Sequence, residues 1–509
     1  MLKSTSFESH PLHKILHPKS IAVYGANNNI LQTMGTIQML NLIDQGYPRE
    51  NLYPIHPHLD SVLGLKAYKT IAAVPVIPDL AFLVLPTQAI PQVMVELGQK
   101  GVKLVIMVTA GFREVGDAVG EAKIKKIANK YGIRFVGPNC IGVFNAHLDA
   151  DHPERILNTT WSHYTGKPGN ISIASQSGTF ASHIFIMAAD IGLNINKSIS
   201  VGNEANIDIC DCLEYLRDDP TTNVICIYVE EVKRGALFRK LVKEITPKKP
   251  IIAIYMGGTL GGAKAVSSHT GSMAGNDAIF DAIFSQAGIR RVFSMREFLL
   301  TAILFSHFIP QGVLPKGRRI GIITDSGGAG AEMADLGSRY GLTVPEFSPE
   351  LQIKLKTHLP STAGIRNPVD LTYLDNPEVY FDTIPHLLSQ SGEVDAIVSY
   401  GAYGADYFQY GSFGTEMISS PKTKGMLQQY MDFMYSVLER SKLYPAKYNI
   451  PIAHVNLMGA RDGLVPILRE KYDLPVFMFP DEAVQTMAHL IEYGCYCHKL
   501  LQTSLQSME

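Results

Sequence analysis

The sequence predicts an α/β fold of parallel sheets covered by helices, on three observations. Short apolar, β-branched runs recur along the chain, helical patterns fill the intervals between them, and two polar stretches rich in Pro and Gly interrupt the rhythm. The runs are IAVYG, LAFLVLP, LVIMVTAG, RFVGPN, ISIAS, VICIYVE, IIAIYMGG, RIGIITDSG and AIVSYG. A strand buried on both faces reads as such a continuous run, and strands alternating with helices form parallel sheets. At 509 residues the chain is too long for one core, and ~100 to 200 residues per domain gives about three units. The interruptions, DADHPERILNTTWSHYTGKPGN at 149–170 and FIPQGVLPKGRR at 308–319, read as linkers. The units are then 1–148, 149–310 and 311–509.

Composition excludes several function classes. With 46% apolar and 18% charged residues and a net charge of -2, the chain offers buried-sheet material and no basic footprint for nucleic acid or an anionic membrane. The N-terminus, MLKSTSFESHPLHK, lacks a signal peptide's apolar stretch, and no segment reaches the ~20 apolar residues that span a bilayer. A cytoplasmic protein is expected. Of the six cysteines, Cys210 with Cys212 and Cys495 with Cys497 stand one residue apart, too close for an ordinary zinc or disulfide framework, and read as reduced core thiols.

In the first unit, the strand SIAVYG leads through ANNNILQTMGTIQMLNL into a helix, the position where α/β domains bind nucleotide phosphates. Gly25 is followed by Ala26 and three Asn, with no second glycine before Gly35, so the dinucleotide fingerprint fails. The next strand, NLYPIHP, ends at His56 and Pro57 where an NAD site places an acid. An NAD-linked oxidoreductase is disfavoured; a ligand turn and a plain strand and helix both remain open here.

The second and third units open alike, with ISIASQSGTFASHIFIMAADIGL from Ile171 and IGIITDSGGAGAEMADLGSRYGL from Ile320. Each is a strand, a Ser-Gly turn and a helix, by duplication or by shared architecture. A helix N-terminus with small residues favours an anion, so Ser177, Gly178 and Thr179, and Ser326, Gly327 and Gly328, are candidate phosphate contacts. The alternative is that these glycines merely make tight turns. From Gly401 to Pro451 the chain is rich in Tyr and breaks the spacing; its first part reads as a loop, either functional or a subunit contact. His269, one of sixteen histidines, lies between the small-residue run GGTLGGAKAVSS and the helical pattern TGSMAGNDAIFDAIF.

The order of motifs carries a resemblance. LPTQAIPQVMVELGQKGVK, LVIMVTAGFREVG and YGIRFVGPNCIGVFN resemble the CoA-binding domain of succinyl-CoA synthetase and of ADP-forming acyl-CoA synthetases. SQSGTF, SVGNEANIDICDCLEYLRDDP, YVEEVKRG, SHTGSMAG, ITDSGGAG and RNPVDL extend it over most of residues 15–400. It implies a Rossmann-like CoA-binding domain over 1–148, a flavodoxin-like domain with a phosphohistidine loop over 149–310, and a second flavodoxin-like ligase-CoA domain with a Tyr-rich insertion over 311–509. Gly25, Ala26, Asn27 and Asn28 would lie at the CoA phosphates, and Val108, Thr109 and Ala110 would line the pantetheine path. GPNC at 137–140, with Asn139, would close the domain near the thioester. Cys140 is given a packing role, because nothing near it in sequence would lower its pKa. His58 stands where the family often has Lys.

By the same resemblance His269 takes a phosphoryl group from an acyl phosphate and passes it to a nucleoside diphosphate. A nucleophilic imidazole must be neutral, with one nitrogen held by an acceptor. Glu230, at the end of VICIYVE, matches the family's supporting glutamate; its neighbour Glu231 is often Gly there. The alternative for Glu230 is a solvated strand end or a salt bridge with Lys233 or Arg234. The chain shows no GxxxxGK[ST] and no acidic magnesium ligands of a nucleotide domain. The resemblance therefore implies an ATP-grasp (beta-type) partner subunit carrying ATP or ADP with magnesium, and a hetero-oligomer acting on a small carboxylic acid or its acyl-CoA. No resident metal is expected. A CoA-binding regulatory or scaffold protein without turnover is the alternative.

Overall fold

Each of the nine apolar runs forms a parallel strand in the computed structural model. The structure describes residues 7–30, 33–270, 275–372, 374, 376–407 and 420–506, with the side chains of 189, 267–270, 504 and 505 outside the description. The first sheet contains β1 (Ile21–Tyr24), β2 (Leu52–Ile55), β5 (Leu80–Leu83), β6 (Leu104–Met107) and β7 (Arg134–Val136), with a small hairpin, β3 (Ser61–Val62) and β4 (Leu65–Lys66), after β2. Its order is β2-β1-β5-β6-β7. All residues of β1, β5 and β6 are buried, which is why these runs carry no polar alternation.

The second sheet contains β8 (Val143–Asn145), β9 (Leu157–Asn158), β10 (Ile171–Ser175), β11 (Ile195–Ser200), β12 (Val224–Val229), β13 (Ile251–Tyr255) and β14 (Arg290–Arg291), in the order β14-β13-β12-β10-β11-β8-β9. β8 and β9 are its antiparallel edge. The third sheet contains β15 (Ile320–Thr324), β16 (Val369–Asp370), β17 (Ala396–Tyr400), β18 (Ile452–Val455) and β19 (Val476–Phe477), in the order β16-β15-β17-β18-β19.

One topological feature recurs and positions everything that follows. In each sheet the order reverses beside an early strand: between β1 and β5, between β10 and β12, and between β15 and β17. Connections leave such a pair in opposite directions, so a crevice opens at its carboxyl edge where ligands of α/β proteins bind.

The chain divides into two compact units, Met1–Phe293 and Ser294–Glu509. The first two sheets share one unit and one apolar cluster, in which Ile21, Val23 and Phe82 join Ile225 and Ile227. The third sheet has its own cluster, including Ile323, Ile397 and Leu388. The helix Met295–Phe308 packs on the helix Pro480–Gln506, so the division falls at 293/294 rather than at 310, and 308–319 lies inside the second unit as the lead into β15.

The stretch 149–170 is not a linker. Leu157 and Asn158 form β9, and the polar residues around it are buried against the helix Met34–Asp44. Asn158 Nδ2 donates to Gln45 Oε1 at 2.6 Å, and Asn41 Nδ2 donates to the Thr160 carbonyl at 2.8 Å. Buried polar groups survive here because they satisfy one another. The six thiols are unpaired, and all but half-buried Cys495 are buried. Among the described residues, no helix is long and apolar enough to cross a membrane.

Candidate functional site

At the β1/β5 reversal, the backbone itself demands glycine. Gly25 has φ +87°, and a Cβ there would stand 1.9 Å from the Val84 carbonyl oxygen. A Cβ on Gly35, in the first turn of Met34–Asp44, would stand 2.8 Å from the Gly25 carbonyl oxygen. The two glycines thus bring strand end and helix start together. Asn27 N–H donates to Thr36 Oγ1 at 2.9 Å, and Asn28 bonds the β3–β4 hairpin through Ser61 O at 3.1 Å and Leu63 N–H at 2.8 Å. Ala26 is buried, whereas Asn28 is exposed.

Val108 and Thr109 are buried, and of the proposed pantetheine path only Ala110 is exposed. The Thr109 hydroxyl ties the ends of β5 and β6, donating to Leu85 O at 2.9 Å and accepting from Leu85 N–H at 3.1 Å. Both side chains, of Val108 and Thr109, are therefore packed inside the domain rather than on its surface. Asn139, at φ +56°, donates from its backbone to Thr109 O at 2.9 Å and from Nδ2 to Asn203 Oδ1 at 3.2 Å. The Cys140 thiol donates to Met107 O at 3.3 Å, and burial pushes its pKa up to about 12; it packs and is no nucleophile. His58 is exposed, and Lys69, which the sequence reading passed over, holds the same turn by donating to His58 O at 3.0 Å. Lys69 Nζ also pairs with Asp60 Oδ1 at 2.9 Å, so its charge is met within the same turn. Its position on the hairpin's return gave no sequence signal.

At the β10/β12 reversal the second group of predicted residues converges. Ser175 Oγ, at the end of β10, donates to Ser177 O at 2.8 Å and accepts from Ser177 N–H at 3.1 Å. Ser177 Oγ accepts from Phe180 N–H at 3.3 Å, opening the helix Gly178–Ile191, whose first N–H groups have no intrahelical acceptor. Glu230 follows β12 and is 4% exposed. Burial and the Glu230 carboxylate together push the Tyr228 phenol up to about 12. Lys233 and Arg234 face other groups: Lys233 Nζ donates to the Asn203 and Glu204 carbonyls at 2.6 and 2.9 Å and lies 4.0 Å from Glu204 Oε2, and Arg234 Nε donates to Asp208 Oδ2 at 2.6 Å.

Gln176 joins the two halves of this site, and the sequence reading missed it. Its Oε1 accepts from the N–H of Glu230 and from that of Glu231 at 3.1 Å, while its Nε2 donates to Glu231 O at 2.7 Å. A second link runs through the turn Arg113–Val115. Arg113 Nη1 stands 3.4 Å from Glu231 Oε2, and Glu114 Oε2 accepts from Asn203 Nδ2 at 2.6 Å. Burial pushes the Glu114 pKa up, but hydrogen bonds from Asn203, Gly111 and Phe112 outweigh it and hold the carboxyl below its usual range. Burial pushes neighbouring Glu204 up to about 7, with Lys233 opposing it.

The small-residue run GGTLGGAKAVSS lies mostly in a helix, Leu260–Thr270, packed on Arg113–Val115. Ala, Leu and Lys outweigh its paired glycines. His269 is in its last turn; its side chain lies outside the described residues, as do residues 271–274 of SHTGSMAG.

In the second unit, the β15/β17 reversal repeats the first Ser-Gly turn. Thr324 Oγ1 donates to Ser326 O at 2.8 Å and accepts from Ser326 N–H at 2.9 Å, the pattern Ser175 makes with Ser177. The two segments share local architecture and not sequence alone. They differ in charge: the helix Gly327–Arg339 starts beside Asp370, whose carboxylate lies 3.1 Å from the position of a Cβ on Gly327. Ser326 and Gly327 open into a cavity of about 640 Å³. Of the Tyr-rich stretch, 408–419 lies outside the described residues, and Pro421–Ser441 is a helix. Among the described residues no group of three or more His, Cys, Asp or Glu side chains could hold a metal ion.

These three edges define a class, an α/β protein of parallel sheets with a Ser-Gly turn beside a buried carboxylate, and comparison with known proteins gives the family. A CoA binding domain model matches residues 19–146, a succinyl-CoA ligase like flavodoxin domain matches 168–305, and a Ligase-CoA domain matches 320–402. Subunit alpha of acetate–CoA ligase [ADP-forming] II from Pyrococcus furiosus is 36% identical over 390 residues, 76% of this chain and 82% of that protein. Acetate–CoA ligase [ADP-forming] from Methanocaldococcus jannaschii is 40% identical over 369 residues, 72% of this chain and 50% of that protein, so the chain spans half the length of that relative. A solved Ca. Korarchaeum cryptofilum acetyl-coenzyme A synthetase, described as dinucleotide forming and in complex with phosphate and ADP, superposes with TM-score 0.79 at 27% identity over 97% of this chain and 98% of that one. The chain belongs to the family of ADP-forming acyl-CoA synthetases.

Proposed function

We propose that the chain is the CoA-binding and phosphohistidine part of an ADP-forming acyl-CoA synthetase, interconverting acyl-CoA, phosphate and ADP with carboxylic acid, CoA and ATP. The observation that carries the reading is the β10/β12 edge, where Gln176 binds the Ser177–Gly178 turn's strand to the backbone of Glu230 and Glu231. A helix start and a buried carboxylate held at one crevice suit a site that stabilises a phosphoryl group and supports an imidazole.

In this reading, phosphate displaces CoA from the thioester to give an acyl phosphate. A neutral His269 nitrogen then attacks phosphorus, the P–O bond to the acyl group breaks, and the carboxylate leaves. Glu230 accepts from the other ring nitrogen and compensates the charge that the phosphorylated imidazole gains. Ser177, Gly178 and Thr179 donate to the phosphoryl oxygens. Ser326, Gly327 and Gly328 offer equivalent donors in the second unit. CoA supplies the thiol of the thioester. Gly25 to Asn28 would hold its phosphates where Gly25 admits close backbone approach, with Ala110 and Asn139 along the arm. An ATP-grasp partner carrying magnesium and ADP would take the phosphoryl group from His269.

The first half-reaction requires no partner, which gives a direct test. Incubating the chain with labelled acetyl phosphate should produce an acid-labile, alkali-stable phosphoprotein. Equal labelling of His269→Ala would refute the assignment, and transfer of the label to ADP should require the added ATP-grasp subunit.

A further inference from the structure

Asn203, in the turn after β11, is 1% exposed, and each of its polar groups has a partner, drawn from the connections of both the first and the second sheet. Its backbone N–H donates to Pro138 O at 2.9 Å, and its carbonyl accepts from Lys233 Nζ at 2.6 Å. Oδ1 accepts from Asn139 Nδ2 at 3.2 Å, and Nδ2 donates to Glu114 Oε2 at 2.6 Å and to Glu121 Oε2 at 3.4 Å. Gly202 admits this approach. It has φ +55°, and a Cβ there would stand 2.3 Å from the Pro138 carbonyl oxygen and 2.4 Å from that of Asn139.

Glu114 carries these bonds onward to the turn after β6. Its Oε1 accepts from the Gly111 N–H and from the Phe112 N–H at 3.1 Å, and Phe112 N–H is also 3.2 Å from Oε2. From the other side, Thr87 Oγ1 donates to the Ala110 carbonyl at 2.6 Å and stands 2.5 Å from the position of a Cβ on Gly111. The turn is therefore held between a hydroxyl and a carboxylate. Ala110 and Asn139, the residues placed along the CoA arm, are thereby tied to each other through Glu114 and Asn203. The Ser177–Gly178 turn and the backbone of Glu230 have their own clamp in Gln176. Glu114 and Asn203 thus act on the end of the arm, not on the donors to the phosphoryl group.

We propose that Glu114 and Asn203 are positioning residues for the thioester step, holding Ala110 and Asn139 so that the CoA sulfur arrives at the acyl carbonyl. The inference rests on the acyl-CoA reading. In the step concerned, the CoA thiol attacks the carbonyl of the acyl phosphate, the C–S bond forms, the C–O bond to phosphate breaks, and phosphate leaves with the thiol proton. Rates of such steps depend steeply on placement, and an error of about 1 Å costs up to about a hundred-fold.

Two assays on the full chain separate this step from phosphoryl transfer. Formation of acetyl-CoA from acetyl phosphate and CoA reads the thioester step, and labelling by acetyl phosphate without CoA reads transfer to the chain. In Glu114→Gln, an amide that keeps its oxygen on Gly111 and Phe112 turns its NH2 against the Asn203 NH2. The kcat for acetyl-CoA formation should fall about ten-fold, while KM for CoA and the labelling rate stay within about two-fold of the parent. Asn203→Asp, which sets carboxylate against carboxylate, should do the same. The double variant Glu114→Gln/Asn203→Asp exchanges donor and acceptor across the pair and leaves Gly111, Phe112 and Asn139 their acceptors, so kcat should return to within about three-fold of the parent. Absence of that rescue, or a raised KM with kcat unchanged, would overturn the proposal. So would labelling that falls as far as kcat, which would give the turn to the helix Leu260–Thr270 packed on it. A parent chain that takes no label and forms no acetyl-CoA would refute the acyl-CoA reading, and this proposal with it.

Discussion

Gln176 shows how one side chain can fix a site built from two strands. Its amide makes three hydrogen bonds to the backbone of Glu230 and Glu231, and it stands directly before the Ser177–Gly178 turn. Gln176→Leu would remove the partner of the buried Glu230 N–H and of the half-buried Glu231 N–H and carbonyl, at about 1–3 kcal/mol for a buried unmade partner. We expect phosphoryl labelling of the chain by acetyl phosphate to slow by about ten-fold or more as Glu230 loses its position. Gln176→Glu keeps the acceptor and should recover part of that rate. Labelling of Gln176→Leu at the parent rate would remove its positioning role. The sequence made Ser177 and Glu230 legible because each sits where a strand run ends. Gln176 was invisible in that reading although it lies inside SQSGTF, because its partners are more than fifty positions away and no local pattern announces them.

At the scale of elements, apolar strands read clearly and polar ones did not. Nine buried runs were legible, but β9 was hidden inside a stretch whose Asn, Thr and Pro content resembles a linker; its ladder with β8 makes it a strand, and the bonds of Asn158 to Gln45 and of nearby Thr160 to Asn41 hold the stretch in the core. The helix Leu260–Thr270, which bears His269, was obscured by its paired glycines, and it packs on Arg113–Val115. The β1 turn shows the reverse case, in which local geometry is strict. Gly25→Ala must place a side chain at φ +87° and 1.9 Å from the Val84 carbonyl oxygen. The left-handed backbone alone costs about 1–2 kcal/mol, and the clash must spread β1 from β5. Thermal unfolding should shift down, and CoA affinity should fall with it; a variant binding CoA as the parent does would exclude this turn from the CoA site. β11 carries a second test. Lys197 Nζ and Asp219 Oδ2 pair at 2.8 Å with side chains 1% and 2% exposed. Lys197→Met strands a buried carboxylate and should cost about 3–5 kcal/mol in urea unfolding. Adding Asp219→Asn should restore much of it, and an equal loss in the double variant would show that the charge pair is not the cause.

At the scale of the whole molecule, each compact unit contains a histidine that burial holds neutral most strongly, His17 in the first and His454 in the second, and this shapes how stability depends on pH. In the first unit, His17 Nδ1 donates to His13 O at 2.9 Å, which leaves Nε2 to accept from Asn145 Nδ2 at 3.1 Å. A proton on Nε2 would set donor against donor. In the second, His454 is 4% exposed and its Nδ1 lies 2.7 Å from Ser399 Oγ. Burial pushes each down to about 4; for His454 the nearby His307 adds to the effect, and for His17 the bond to His13 opposes it. The unfolded chain, with ordinary histidines near pH 6.5, takes up protons first. Stability contributed by the neutral forms is therefore complete above about pH 6.5 and is lost as pH falls toward about 4, where the folded state also protonates. A shift of this size corresponds to about 3 kcal/mol for a fully buried histidine, and less for His17, which is less deeply buried. Urea midpoints measured between pH 7 and pH 4.5 should fall with decreasing pH. His454→Gln should flatten the slope for the second unit and leave the first unit's slope in place, and His17→Gln should do the converse. Slopes indifferent to both substitutions would assign the acid sensitivity to carboxylates instead.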